Sequence, residues 1–206
     1  MIAIVDYNAG NLTSVKLALD YLGTRSEITR SPARILAADR VIFPGVGSAG
    51  AAMQNIRALD LADVLRQVVQ RGTPFLGICL GTQIIFESSG EDGGVQGLGV
   101  LAGTVKRFHP PNPSDKVPQI GWNSVTFIKL HPLFEGIESG SEFYFAHGYY
   151  PMPADHACVL GETEYANVRF ASVIARDNLA ATQFHPEKSG RLGLQVLKNF
   201  TAWKSA

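Results

Sequence analysis

The chain has 206 residues, 46% of them hydrophobic and 17% charged, with 18 Lys and Arg balancing 18 Asp and Glu. That excludes a disordered chain and suffices for one α/β domain, 1–206, with a substantial core. No block of like charge invites nucleic acid or an anionic membrane, and no apolar run reaches the roughly 18 residues of a spanning helix.

The start, MIAIVDY, has no basic region leading into an apolar one, so no secretory signal is expected. Cys79 and Cys158 cannot build a disulfide framework; a reducing cytoplasm is the expected setting.

In chain order, IAIVDY (2–7) predicts a buried strand. NLTSVKLALDYLG (11–23) predicts a helix, with Leu12, Val15, Leu19 and Leu22 on one face and Gly23 as its stop. RVIFPG (40–45) reads as a second buried strand. DLADVLRQVVQRG (60–72) reads as a helix capped by Asp60, with Leu61, Val64, Leu65 and Val68 inward and Gly72 as the stop. PFLGIC (74–79) is a third strand, running into a helix over LGTQIIFESS (80–89). This alternation predicts an α/β fold in three layers, a mostly parallel sheet with helices on both faces.

The second half differs. EDGGVQGLG (91–99) reads as a glycine-rich loop and HPPNPSDKVP (109–118) as a surface excursion. GTVKRF, NSVTFIK, EFYFAHGYY, RFASVIAR and LAATQF read as short strands, suited to antiparallel pairing at the sheet edge. GRLGLQVLKNFTAW closes the chain as a helix with Leu192, Val196, Phe200 and Trp203 on one face. No internal repeat or domain linker is evident.

The chemistry concentrates at Gly77-Ile78-Cys79-Leu80-Gly81, where a buried strand feeds directly into a helix. This is the nucleophile-elbow pattern with cysteine in place of serine. A thiol there meets the positive end of a helix, and the Leu80 amide is placed to bind an oxyanion. The competing reading is an inert core cysteine in a tight turn.

A nucleophile needs a base and a group to orient it. Of five histidines, only His185, in TQFHPEKSG, directly follows a strand-like run and precedes a carboxylate by two residues. Pro186 stiffens that turn, so Glu187 can hold one ring nitrogen while the other serves Cys79. A solvated surface turn is the alternative.

GICLGTQ and, about a hundred residues on, HPEKSG together resemble the class I (triad) glutamine amidotransferases over essentially the whole chain. DYNAGNL, PGVG, IGWN, YFAHGYY and the trailing KSG are similar to one branch, the glutaminase subunits of imidazole glycerol phosphate synthase. The resemblance implies a flavodoxin-like fold with antiparallel edge strands and a catalytic triad of Cys79, His185 and Glu187. It implies hydrolysis of L-glutamine through a thioester, with no cofactor or metal. The oxyanion hole would use the Leu80 amide and one from the 45–47 loop at Val46 or Gly47, which is competent only when the partner is engaged. Gln83, Glu91 and the backbone of Gly148 and Tyr149 would meet the substrate. Asn11, Trp122, Asn123 and Lys188 would lie near the partner, a TIM-barrel cyclase that receives ammonia through a channel and forms a heterodimer with this chain.

Several positions depart from the branch's usual pattern. Gly148 stands where serine or threonine is usual, Gln119-Ile120 where His-Met is common, and Ala49 where an aromatic is frequent. Three alternatives stay open: the glutaminase of another synthase, a cysteine hydrolase or stress protein on the same fold, and a subunit without catalysis. DYNAGNL, GWN and KSG argue against the first, and the complete triad argues against the other two.

Overall fold

The computed structural model describes residues 1–8 and 10–204. Its elements, in chain order, begin with strand β1 (Ile2–Val5), helix α1 (Leu12–Tyr21), β2 (Ser26–Thr29), α2 (Pro32–Leu36) and β3 (Arg40–Gly45). Helices α3 (Ala49–Ala58) and α4 (Leu61–Gln70), strand β4 (Phe75–Cys79) and helix α5 (Leu80–Ile84) follow. Then come β5 (Phe86–Ser89), β6 (Val95–Gln96), β7 (Leu101–Arg107), β8 (Gln119–Ser124), β9 (Thr126–Phe127), β10 (Glu142–His147) and β11 (Tyr149–Pro153). The chain ends with β12 (Val159–Tyr165), β13 (Val168–Arg176), β14 (Leu179–Thr182) and α6 (Gly190–Ala202).

Eight strands form the main sheet in the order β2-β1-β3-β4-β14-β13-β12-β9. The first five run parallel and the last three pair antiparallel. The apolar runs at 2–5, 40–45 and 75–79 belong to strands buried on both faces, as parallel sheets require. On one face Ala3, Val5, Val41, Phe43 and Phe75 pack with residues of α2, α3 and α4. On the other, Ile2, Ile4, Ile42, Leu76 and Ile78 pack with α1 and α6. The predicted inward residues of α1, α4 and α6 lie in these two clusters or against them.

The structure corrects the expected helix over 80–89. Only 80–84 is helical, and 86–89 is strand β5, paired with β6 and β7. The amides of Leu98, Gly99 and Val100 bond to the carbonyls of Ile84, Phe86 and Ile85 at 2.7–3.0 Å. Those of Ile84 and Ile85 are carbonyls that the end of a helix leaves open, so a distant segment caps α5. Asp60 occupies the N-cap position of α4 as expected, but its backbone is left-handed (φ 55°) and its side chain makes no capping bond.

LAATQF pairs antiparallel with β13, as expected, but it does not lie at an edge. Strand β14 lies inside the sheet, parallel to β4, with Thr182 opposite Ile78. Other late strands leave the main sheet, forming a four-stranded sheet β11-β7-β5-β6 and the hairpin-like pair β10-β8. EFYFAHGYY divides at Gly148 into β10 and β11, which join different sheets. The 91–99 stretch holds a 3-10 turn and β6. Elements β2, α2, α3 and β12 lie in stretches for which the sequence reading assigned nothing. Among the described residues no helix is long and apolar enough to cross a membrane.

Candidate active site

Two parallel neighbours, β4 and β14, end at the same edge of the sheet. Cys79 closes β4, and His185 follows β14 by three residues. Sites in parallel sheets form outside these carboxyl ends.

Cys79 has φ 53° and ψ −108°, outside the ordinary regions for a residue with a β-carbon. Such strain costs on the order of 1–3 kcal/mol and persists only where its surroundings enforce it. The enforcement is visible in Gly81: a β-carbon there would fall 1.9 Å from the Phe43 carbonyl oxygen on β3. The missing side chain lets α5 sit directly on the sheet and forces the turn at Cys79.

His185 is buried, and its Nδ1 lies 2.7 Å from Glu187 Oε1. Asn11, the N-cap residue of α1, also donates to that oxygen. The Glu187 side chain is wholly buried, and its Oε2 has no hydrogen-bond partner among the described residues. Burial lowers the basicity of His185. Its charge attraction and hydrogen bond to Cys79, together with the Glu187 carboxylate, outweigh that and raise the pKa to about 10. This imidazolium contributes stability that is complete below pH 6.5 and is lost as pH rises through about 10.

A cavity of about 300 Å³ opens onto Cys79 and His185. Val46, Gly47, Leu80, Gln83, Glu91, His147, Gly148 and Tyr149 are among the residues that line it. Lys188 stands at the mouth, its Nζ 6.0 Å from the Tyr144 ring. Gly47 has φ 97°, a conformation open to glycine. A larger apolar cavity of about 480 Å³, over 127–137, lies elsewhere and brings together no such chemistry.

The buried Gln83 donates to the Tyr149 carbonyl at 2.9 Å and to Gln183 Oε1 at 3.0 Å. The Glu91 carboxylate accepts from the Ala49 amide at 2.7 Å, at the start of α3. Burial is the first cause of its raised pKa, opposed by that bond. At Gly148 a β-carbon would meet Val117 at 3.4 Å, an ordinary contact, so space does not demand the glycine.

Of the four residues expected near a partner, the structure treats each differently. Trp122 is 54% exposed, which rules out a core role, and it meets Tyr144 edge-on at 6.2 Å. Lys188 is exposed. Asn11 turns inward to Glu187, and Asn123 is tied to the Glu164 carbonyl at 3.0 Å.

Three residues at the site escaped the sequence reading. The Tyr7 hydroxyl, buried and without a hydrogen-bond partner among the described residues, presses on Gly45, where a β-carbon would fall 2.2 Å from it. Burial, then the charge of Cys79, hold its ionisation well above the usual range. Gln183 is 0% exposed, and its Nε2 lies 3.8 Å from the Cys79 sulfur.

The third is His147. Its Nδ1 is 2.7 Å from the Tyr149 carbonyl and its Nε2 3.0 Å from the Gln119 amide. Burial lowers its pKa to about 4, with the His185 charge adding to the effect and the Tyr149 bond opposing it. The structure sets Gln119 Oε1 against Nε2; in a neutral ring whose Nδ1–H goes to the Tyr149 carbonyl, Nε2 meets a donor only when the Gln119 carboxamide is turned end for end. An unfolded chain binds this proton from pH 6.5 downward, so the folded state loses stability as pH falls from 6.5 to about 4. At 1.36 kcal/mol per unit the loss approaches about 3 kcal/mol. His147→Gln is expected to flatten this limb in thermal melts across that range; an unchanged slope contradicts the assignment.

The family profile "Glutamine amidotransferase class-I" matches residues 3–203, and the chain belongs to that family. Among curated relatives, the imidazole glycerol phosphate synthase subunit HisH of Methanocaldococcus jannaschii is 48% identical, covering 97% of this chain and 98% of the relative. HisH of Moorella thermoacetica is 51% identical, covering 97% and 93%. A solved structure described as a glutamine amidotransferase superposes with a TM-score of 0.75 at 19% identity, covering 98% of both chains. That last likeness concerns the fold alone.

Proposed function

We propose that this chain is the glutaminase subunit of imidazole glycerol phosphate synthase, and that residues 1–206 act as one cytoplasmic glutamine amidotransferase domain. The observation that carries the reading is Cys79 in a strained elbow, facing a buried His185–Glu187 pair across one cavity. The near full-length identity to HisH subunits supports the choice of synthase.

In this reading L-glutamine enters the cavity with its carboxylate toward the backbone of Gly148 and Tyr149 and its ammonium toward Glu91. Gln83 helps to hold it. The Cys79 sulfur attacks the side-chain carboxamide carbon, and the carbonyl π pair moves to oxygen. Amides of Leu80 and of the Val46–Gly47 loop receive that oxyanion. The raised basicity of His185 puts a proton on its ring, which passes to the departing amine as the carbon–nitrogen bond breaks. Ammonia leaves and a glutamyl thioester remains. His185 then takes a proton from water, whose oxygen attacks the thioester carbon; the carbon–sulfur bond breaks, the Cys79 sulfur leaves and glutamate is released. Glu187 keeps the ring oriented throughout.

The released ammonia goes to a cyclase subunit, a TIM barrel, that forms imidazole glycerol phosphate and AICAR from phosphoribulosyl-formimino-AICAR-phosphate. Exposed Trp122 and Lys188 suit a docking surface. Lys188 directly follows Glu187, and Asn11 bonds to it, so contact at either can reach the triad. The test measures glutamate release by the chain alone, with cyclase, and with cyclase plus its nucleotide ligand. A low rate that rises by more than tenfold on full assembly is expected. Equal rates in all three would overturn the partner-dependent oxyanion loop, and no glutaminase activity in any of them would overturn the reading itself.

A further inference from the structure

We infer that Gln183 is a positioning residue for the nucleophile: its carboxamide, oriented by Gln83, presents an N–H to the Cys79 sulfur. This rests on the reading of Cys79 as the nucleophile and adds a residue to that site.

The orientation follows from a chain of bonds that starts at a backbone carbonyl. The Tyr149 oxygen can only accept. The Gln83 atom 2.9 Å from it is therefore its NH₂ nitrogen. That same nitrogen lies 3.0 Å from the Gln183 side chain, so the Gln183 atom facing it is the carbonyl oxygen. The NH₂ end of Gln183 then points the other way, to Sγ of Cys79 at 3.8 Å. A flipped Gln183 would set two donors against each other and leave a buried carbonyl against the sulfur.

The two polar neighbours of the sulfur outside the triad favour different protonation states. The Ala146 carbonyl, 3.8 Å away, accepts from an S–H. Gln183 donates, and a donor is worth most against a charged acceptor. Once the proton passes to His185, the Ala146 contact no longer helps and the Gln183 contact strengthens. The amide cannot drift to follow the sulfur, because it is fully buried and its backbone nitrogen bonds to Ser172 O at 2.9 Å. Gln183 also connects the sulfur to the cavity wall that faces the substrate, since Gln83 and Tyr149 both line the cavity.

Two substitutions separate its two bonds. Gln183→Glu keeps an oxygen for Gln83 and removes the donor to sulfur. Gln183→Met keeps the length and removes both. The readouts are the iodoacetamide alkylation rate at Cys79 of the full chain at pH 7, and kcat and KM for glutamine in the complex with cyclase. Cys79→Ala supplies the Cys158 background. Both variants are expected to slow alkylation and kcat by about tenfold or more, the weight of one hydrogen bond to a charged group. KM is expected to rise in Gln183→Met only. A role in packing alone leaves alkylation untouched in Gln183→Met, and that result overturns the inference. Where Gln183→Glu fails to fold, Gln183→Met decides alone. A wild-type complex that keeps full glutaminase activity after alkylation of Cys79 overturns the nucleophile reading instead.

Discussion

Cys79→Ala is expected to lower glutamine hydrolysis by the assembled complex by about 10⁴-fold or more, while the chain stays folded and still binds its partner. The size follows from the way nucleophile, base and orienter act as a unit, so that loss of the nucleophile alone removes most of what the set supplies. No neighbour can replace it. Tyr7, also close by, is held protonated by burial and by the charge of Cys79, and Cys158 lies beside Asp155, remote from the cavity. Stability is expected to change little. Alanine loses a small buried group and keeps the strained φ of 53°, which the packing around Gly81 imposes whatever the side chain. Glutamate release by the mutant complex at saturating glutamine, with its melting temperature as control, checks this. Residual hydrolysis within tenfold of wild type would remove Cys79 from the mechanism.

Gly81→Ala is expected to damage the fold itself. Its β-carbon would stand 1.9 Å from the oxygen and 3.0 Å from the carbon of the Phe43 carbonyl. Both are backbone atoms of β3, a central strand paired to β1 and β4, so neither can move without moving the sheet. Overpacking of a well-filled interior typically costs 1–3 kcal/mol, and a clash with fixed backbone belongs at or above the top of that range. About 3 kcal/mol in a chain of this size lowers the melting temperature by roughly 10 °C. Gly77→Ala is the control: its β-carbon would meet Gly81 backbone at 3.2 Å and the Ala181 side chain at 3.3 Å, tight contacts that small shifts relieve. A loss of a few degrees is expected there. Equal melting temperatures for both variants and wild type would mean that α5 does not need the close approach.

The elbow was legible because its signal is local. Small residues two before and two after a cysteine, between a buried strand and a helix, carry the geometry within five positions. His-Pro-Glu was legible as a local pair, since Nδ1 of His185 meets Glu187 two residues on. What brings the two motifs together is long-range. Strand β14 lies parallel beside β4 with Thr182 opposite Ile78, and neither periodicity nor composition encodes that register. LAATQF therefore looked like an edge strand, and Gln183, whose value lies entirely in its partners 100 and 104 positions away, stayed unseen. The same holds for 86–89, where carbonyls of the expected helix are taken by a segment at 98–100. Tyr7 sits in the DYNAGNL motif, but its contact with Gly45 appears only once β1 and β3 pair.

In the proposed function this chain turns glutamine into ammonia at Cys79 and does nothing further to the ammonia. The most direct measurement gives the wild-type and Cys79→Ala complexes the same cyclase substrate, with either glutamine or an ammonium salt as the nitrogen source. Cys79→Ala is expected to make product from ammonium at the wild-type rate and none from glutamine. Product from glutamine at the wild-type rate, or loss of the ammonium-driven reaction in a folded, assembled mutant, would contradict it.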